Sequence, residues 1–238
     1  MRLLVSVANE AEASAALAGG ADLIDAKDPA AGALTPVSAQ TFQAICAGVA
    51  GARPVTAALG NASDADAIFA AARQFAEAGA RWVKVGFAGI ASPERVGVLT
   101  KAAVDGARTG AAGAAGRPGC GVVAVAFADV DRALGLAPFA LVAEAARAGA
   151  NGLLLDTADK SGPGLRALMD SASLTAFVSS VREAGLLVAL AGQLGAADLP
   201  FVRDAGADIA GVRGAACEGG RTGHVSADRV RLLRQSCR

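Results

Sequence analysis

Residues 148–156 read Ala148-Gly149-Ala150-Asn151-Gly152-Leu153-Leu154-Leu155-Asp156. A small-residue helix end passes through Gly149, which tolerates φ > 0 as a C-cap, into an apolar run closed by a carboxylate. The pattern recurs three times: Ala18-Gly19-Gly20-Ala21-Asp22 before LIDAK, Ala78-Gly79-Ala80-Arg81 before WVKVG, and Ala205-Gly206-Ala207-Asp208 before IAGVRG. Between these lie four further apolar runs, at 3–7, 55–59, 121–127 and 186–191. Each run is short, apolar on consecutive residues and bounded by turn signals, as a parallel strand buried on both faces reads. Helical patterns separate the runs, near 10–19, 38–49, 64–79, 93–108, 138–148, 173–184, 196–205 and 226–236. Asn9 and Ser63 are N-cap candidates, and Ser92-Pro93-Glu94 is a helix start with Pro in the first turn. A doubly wound open sheet would also alternate. Eight even β-α units in 238 residues instead favour an α/β chain forming a single (β/α)8 TIM barrel over residues 1–238.

Two segments depart from the repeat. Residues 106–119 (GARTGAAGAAGRPG) are rich in Gly and Ala and read as a flexible helix end and loop before the fifth strand. Residues 157–172 form an extended segment after the sixth strand, with a short helical piece at 165–169. A long βα loop in a barrel lies on the active-site face.

Composition narrows the class. The chain is 53% hydrophobic and 18% charged, which excludes a disordered chain. Its 22 basic and 22 acidic residues cancel, so nothing points to a nucleic-acid partner. No apolar stretch reaches the roughly 20 residues of a membrane span, and the N-terminus lacks a signal-peptide core. A soluble, cytoplasmic protein is expected, and its Ala-rich helical exterior leaves room for homo-oligomer contacts. Four scattered Cys without CxxC spacing read as reduced thiols, with no metal site. Only four of the 22 basic residues are Lys; a bias to Ala, Gly and Arg is the mark of a GC-rich genome. Each Lys position is therefore informative.

In a barrel the C-terminal strand ends carry the chemistry. Lys27 ends the second strand behind Asp25, Lys84 lies in the fourth, and Lys160 follows Asp156 at the end of the sixth. Lys84 alternates with Val83 and Val85, which points it into the barrel. Burial and a second nearby cation both lower a Lys pKa, making its amine a nucleophile for carbonyl carbon or a general base. Asp25 and Asp156 balance that charge and move protons. Each residue alone has a structural reading: a buried ion pair for Lys84, solvated loop lysines for Lys27 and Lys160, loop caps for the two Asp. Their coincidence on one rim is the functional signal. His224, the only His, sits in a Gly-rich loop and reads as a loop or cap residue.

The last two loops point to phosphate. They carry Gly192 and Gln193, then Arg213, Gly214 and Ala215, with Gly219-Gly220-Arg221 beyond. Small residues admit close backbone approach to an anion and Arg213 adds a charged fork, although Gly also merely closes turns. The residues alone thus predict a phosphorylated carbonyl substrate and amine-assisted chemistry, without a named substrate.

The strings LLVSV (3–7), AGGADLIDAKDP (18–29), WVKVG (82–86), LLLDTADK (153–160), ALAG (189–192) and DIAGVRGAACEGG (208–220) resemble the (5-formylfuran-3-yl)methyl phosphate synthase family, also called 4-(hydroxymethyl)-2-furancarboxaldehyde-phosphate synthase. The likeness covers nearly the whole chain. It implies a TIM barrel that joins two triose phosphates, from glyceraldehyde 3-phosphate, into a phosphorylated furan aldehyde with loss of phosphate and water. That product feeds methanofuran-type C1 carriers. By the same resemblance Lys27 matches the Schiff-base lysine, Lys84 the proton-transferring lysine, Asp156 an activity-linked carboxylate and Lys160 the lysine after it. No metal or organic cofactor is implied. Phe127 stands where archaeal members carry Tyr, and Glu218 where the family has Lys. Two competing readings share the barrel: an aldolase or isomerase of another phosphorylated sugar, and a non-catalytic phosphate-ligand sensor.

Overall fold

The computed structural model describes residues 1–112 and 119–238. The order is β1 (Arg2–Val7), α1 (Glu10–Ala18), β2 (Leu23–Ala26), α2 (Ala39–Val49), β3 (Val55–Asn61), α3 (Ala65–Glu77), β4 (Trp82–Gly86) and α4 (Pro93–Ala112). The second half runs β5 (Gly121–Phe127), the short α5 (Val130–Ala133), α6 (Pro138–Arg147), β6 (Gly152–Asp156), the short α7 (Leu165–Leu168), α8 (Ser171–Glu183), β7 (Leu187–Leu190), α9 (Leu199–Asp204) and β8 (Ile209–Val212). A hairpin of β9 (Cys217–Glu218) and β10 (His224–Val225) then leads into α10 (Ala227–Ser236). Strands β1 to β8 are parallel, and β8 pairs with β1 to close the barrel. The expected eight-unit barrel is therefore the observed fold. Among the described residues, no helix is long and apolar enough to cross a membrane.

The strand alternation produces two apolar layers. Outward residues such as Leu3, Val5, Leu153 and Leu155 pack beneath the helices, while Leu4, Leu23, Val123 and Leu154 belong to a separate interior cluster. The repeated glycines act as expected: Gly20, Gly79, Gly149 and Gly206 have φ of 86°, 103°, 83° and 95°. Asn9 caps α1 by accepting from the Glu12 N–H at 3.0 Å.

Three local expectations need correcting. Asp64, not Ser63, caps α3, accepting from the Ala67 N–H at 2.9 Å; both residues are cap formers, and the helix starts one residue later than its apolar pattern suggests. The helix expected at 196–205 opens as a 3₁₀ turn over Ala196–Asp198 before α9. Residues 106–112, read as part of a flexible segment, are helical: α4 runs on to Ala112. The rest of that expectation includes residues 113–118, outside the described residues. Gly106 and Gly110 lie one turn apart on the α4 face that meets α3. A Cβ on Gly106 would strike the carbonyl oxygen of Phe69, and one on Gly110 that of Arg73. These glycines let two helix backbones touch; they do not loosen the chain.

That contact yields a sign reversal. Gly→Ala in an exposed helix interior stabilises by about 1 kcal/mol. Gly106→Ala is expected to destabilise instead, by roughly 2 kcal/mol, with urea unfolding as the measurement.

Candidate active site

The register explains why the charges meet. Ser6 of β1 lies beside Asp25 of β2, Asp25 beside Thr56 of β3, and Thr56 beside Trp82 of β4. Asp25 is fully buried and takes three donors: Ser6 Oγ at 3.0 Å, Thr56 Oγ1 at 2.6 Å and Lys84 Nζ at 2.5 Å. Burial alone would raise its pKa. The charges of Lys84 and Lys27 and the hydrogen bonds from Lys84 and Thr56 outweigh that and hold the carboxyl below its usual range.

Across the barrel, Asp156 closes β6. Its Oδ1 accepts from Lys160 Nζ at 2.6 Å and from the Thr157 N–H at 2.8 Å. Burial is again the largest influence and again loses, to the charges of Lys160 and Lys27 and to the two hydrogen bonds. The loop carrying Lys160 is fixed from β5's end: Asp129 accepts from the N–H groups of Ala158 and Asp159 at 2.7 and 2.8 Å.

Lys27 stands between the two pairs. It is 7% exposed and, unlike Lys84 and Lys160, has no acceptor or ion-pair partner among the described residues. Burial, followed by the neighbouring Lys84 charge, lowers its pKa to about 7; Asp156 and Asp25 pull the other way without prevailing. Near neutral pH its amine is therefore present in both charged and neutral forms. The fourth lysine, Lys101, pairs with Asp105 on the exposed face of α4.

The loops after β7 and β8 line the same cavity, of about 360 Å³, as the lysines. Gly192 has φ of 104°, and a side chain there would press on Leu165 and Thr157. Gln193 also lines the cavity, but its Nε2 donates to the Gly162 carbonyl at 3.0 Å and ties two loops together. Gly214 and Ala215 begin a 3₁₀ turn whose first N–H groups lack partners within the turn.

Arg213 does not present the free fork that the sequence suggested. Its two terminal nitrogens grip the buried Glu12 carboxylate and also donate to the carbonyls of Ser6 and Gly223, while Nε donates to the Arg221 carbonyl. All five donors are spent inside the protein, so Arg213 clamps α1, β1 and the hairpin together. Arg221 takes its place at the mouth. Its Nη2 donates to the Gly32 carbonyl at 2.7 Å, the residue lines the cavity, and its remaining donors have no partner among the described residues. His224 lies on β10 opposite Glu218, away from the lysines.

The sequence reading missed Ser6, Thr56, Glu12 and Asp129, and named Arg221 only as a residue beyond the last phosphate loop. A signal existed for two of them, since Ser6 and Thr56 are polar interruptions at inward positions of apolar strands.

The model of the family described as 4-HFC-P synthase matches residues 3–234. The chain belongs to this family. It is 34% identical to the (5-formylfuran-3-yl)methyl phosphate synthase of Methanosarcina barkeri, over 100% of this chain and 99% of that protein. The synthase of the same name from Methanopyrus kandleri is 37% identical, over 99% and 98% of the two chains. Among solved structures, phosphoribosyl anthranilate isomerase from Thermus thermophilus superposes with a TM-score of 0.65 at 16% identity, covering 99% of this chain and 98% of that one. A 3-hexulose-6-phosphate synthase gives 0.63 at 21% identity, with both chains fully covered. At such identities these structures speak for the barrel alone, whereas the sequence relatives are named as synthases.

The surplus ammonium makes a stability prediction for this synthase family member. Its cost is complete below about pH 7 and fades as pH rises toward 10.5, where the unfolded chain also loses the proton. Lys27→Met is expected to gain about 2–4 kcal/mol at pH 6. That gain should shrink between pH 7 and 10.5, as measured by urea unfolding across that range.

Proposed function

We propose that the protein joins two molecules of glyceraldehyde 3-phosphate into (5-formylfuran-3-yl)methyl phosphate through an imine on Lys27. The observation that carries this reading is the unpaired, buried Lys27 amine between two Lys–Asp pairs, with its pKa near 7. A neutral amine attacks the carbonyl carbon of one triose phosphate, and loss of water leaves the imine. The imine draws electrons from the adjacent carbon, so a proton leaves there and an enamine forms.

The flanking pairs serve as proton carriers. Lys84 with Asp25, and Asp156 with Lys160, accept and return protons during enamine formation, carbon–carbon bond formation and dehydration. Overall, two triose phosphates become one furan aldehyde phosphate, one inorganic phosphate and two waters. The balance requires no oxidant or reductant, and the chemistry calls for no cofactor. The product is of the kind that supplies the furan of methanofuran-type carriers.

Phosphate recognition falls to the backbone of Gly192, Gly214 and Ala215 together with Arg221. Arg213 supports them by fixing the carbonyls of Arg221 and Gly223. The abundance of Arg argues against a passive anion sensor, because simple anion binding has no need of three lysines on one rim.

Borohydride reduction in the presence of glyceraldehyde 3-phosphate, followed by peptide mapping, tests the imine. The adduct is expected on Lys27. Its rate of formation should rise about tenfold per pH unit and level off above about pH 7, because only the neutral amine attacks. Lys27→Ala should lose furan formation by at least about a thousandfold; full activity in that variant would sink the proposal. An isomerase would instead release no inorganic phosphate.

The two arginines separate in a second measurement. Arg213→Met strands the buried Glu12 carboxylate and should cost roughly 3–5 kcal/mol of stability. Arg221→Met should cost only about 1 kcal/mol while weakening inorganic phosphate binding by about tenfold in a calorimetric titration.

A further inference from the structure

The barrel is hollow below its lysines. TIM-barrel interiors are ordinarily filled by layers of branched side chains. Here the cavity continues past Lys27 and Lys84 to Leu4, Leu23, Trp82, Val123, Leu154 and Ile209. Leu4, Leu154 and Ile209 retain 9%, 6% and 4% exposure, whereas their outward neighbours Leu3 and Leu155 retain none. The missing volume lies on the β7–β8 side, where Ala189 and Gly211 face inward in place of larger residues.

This apolar space does not suit the triose phosphates, because each of their three carbons bears oxygen. It suits what they become. A furan has lost those hydroxyls and presents flat, apolar faces. Trp82 lies on the same strand face as Lys84 and two residues before it, about 7 Å lower along β4. Its indole is held by the Arg81 guanidinium at 4.5 Å and that of Arg2 at 5.8 Å. The hollow thus has a fixed aromatic floor. It opens directly beneath the β7 and β8 loops, so a phosphate held there would let an attached ring hang toward Trp82.

We infer that the hollow below Lys27 and Lys84 is the seat of the furan ring as it forms. This rests on the furan-forming reading above and adds a binding site for an aromatic ring to it. Such a seat favours late, dehydrated states over the starting trioses, which is the preference a dehydrating synthase needs.

Trp82 is the only Trp in a chain without Tyr, so its emission reports on the hollow directly. The test compares furan-3-ylmethyl phosphate, which has the ring but cannot form an imine, with glycerol 3-phosphate, which lacks the ring. The furan compound should bind at least about tenfold more tightly and change Trp82 emission. Ala189→Leu, which fills the hollow, should remove that advantage and leave glycerol 3-phosphate binding within about twofold. Gly211→Ala is the second variant, its added methyl meeting Ala191 and Leu4 at 3.3 and 3.7 Å; it should narrow the advantage. Equal binding of the two ligands to the unaltered protein, unmoved Trp82 emission, or an Ala189→Leu variant that weakens both alike would overturn the seat. Borohydride trapping of glyceraldehyde 3-phosphate is run alongside. A missing Lys27 adduct defeats the imine reading, whereas an adduct without any preference for the furan defeats only the ring seat.

Discussion

An ammonium placed among the strands of a parallel barrel must either face a carboxylate or give up its proton. Two of the three interior lysines take the first course. Lys84 faces Asp25 at 2.5 Å and Lys160 faces Asp156 at 2.6 Å. Lys27 takes the second, because the two carboxylates are already committed. Its lowered pKa is thus a consequence of counting: three lysines share two buried carboxylates. The surrounding polar residues keep the count fixed. Ser6 and Thr56 hold Asp25 in place, the Thr157 N–H holds Asp156, and Asp129 pins the loop that delivers Lys160.

The fold supplies this arrangement almost without special geometry. Inward residues of alternate strands share a layer in a closed barrel of this kind. Lys84 lies in β4, Asp25 in β2 and Asp156 in β6, with Lys27 and Lys160 just beyond, while the fourth even strand, β8, contributes Gly211 and leads into the anchored Arg213. Gly211, its small member, leaves room among the apolar side chains that line the cavity. The glycine-bearing loops after β7 and β8 line the same cavity as the Lys84–Asp25 pair.

Much of this could be read along the chain. The strands announce themselves as consecutive apolar runs, and the lysines stand out because Lys is rare. What could not be read depends on distant partners. Arg213 in a glycine-rich loop looks like an anion fork until its partner is known, and Glu12 lies 201 residues away in sequence. Gly106 and Gly110 read as slack in a low-complexity stretch, since only the α3 backbone shows what they accommodate. The hollow is invisible for the same reason: Ala189 and Gly211 are ordinary residues in an Ala- and Gly-rich chain, and a void is a sum of volumes over several strands. Ser6 and Thr56 were legible in principle. A hydroxyl at an inward position of a buried strand requires an acceptor, and Asp25 was the acceptor in register with both.

The division of labour between the two basic side chains follows from their acidity. A guanidinium keeps its proton at any pH the protein meets and offers five donors in a rigid plane. It therefore suits a permanent contact, such as Arg213 on Glu12 or Arg221 at the cavity mouth. An ammonium can be driven to neutrality by burial, which a reacting amine requires. In this chain Arg is more than four times as common as Lys, so a lysine at a site that merely needs charge is easily replaced over time. Three of the four lysines lie in or just after β2, β4 and β6, and of these Lys27, set between two neutralised pairs, is the one that no carboxylate holds and the one whose proton burial loosens.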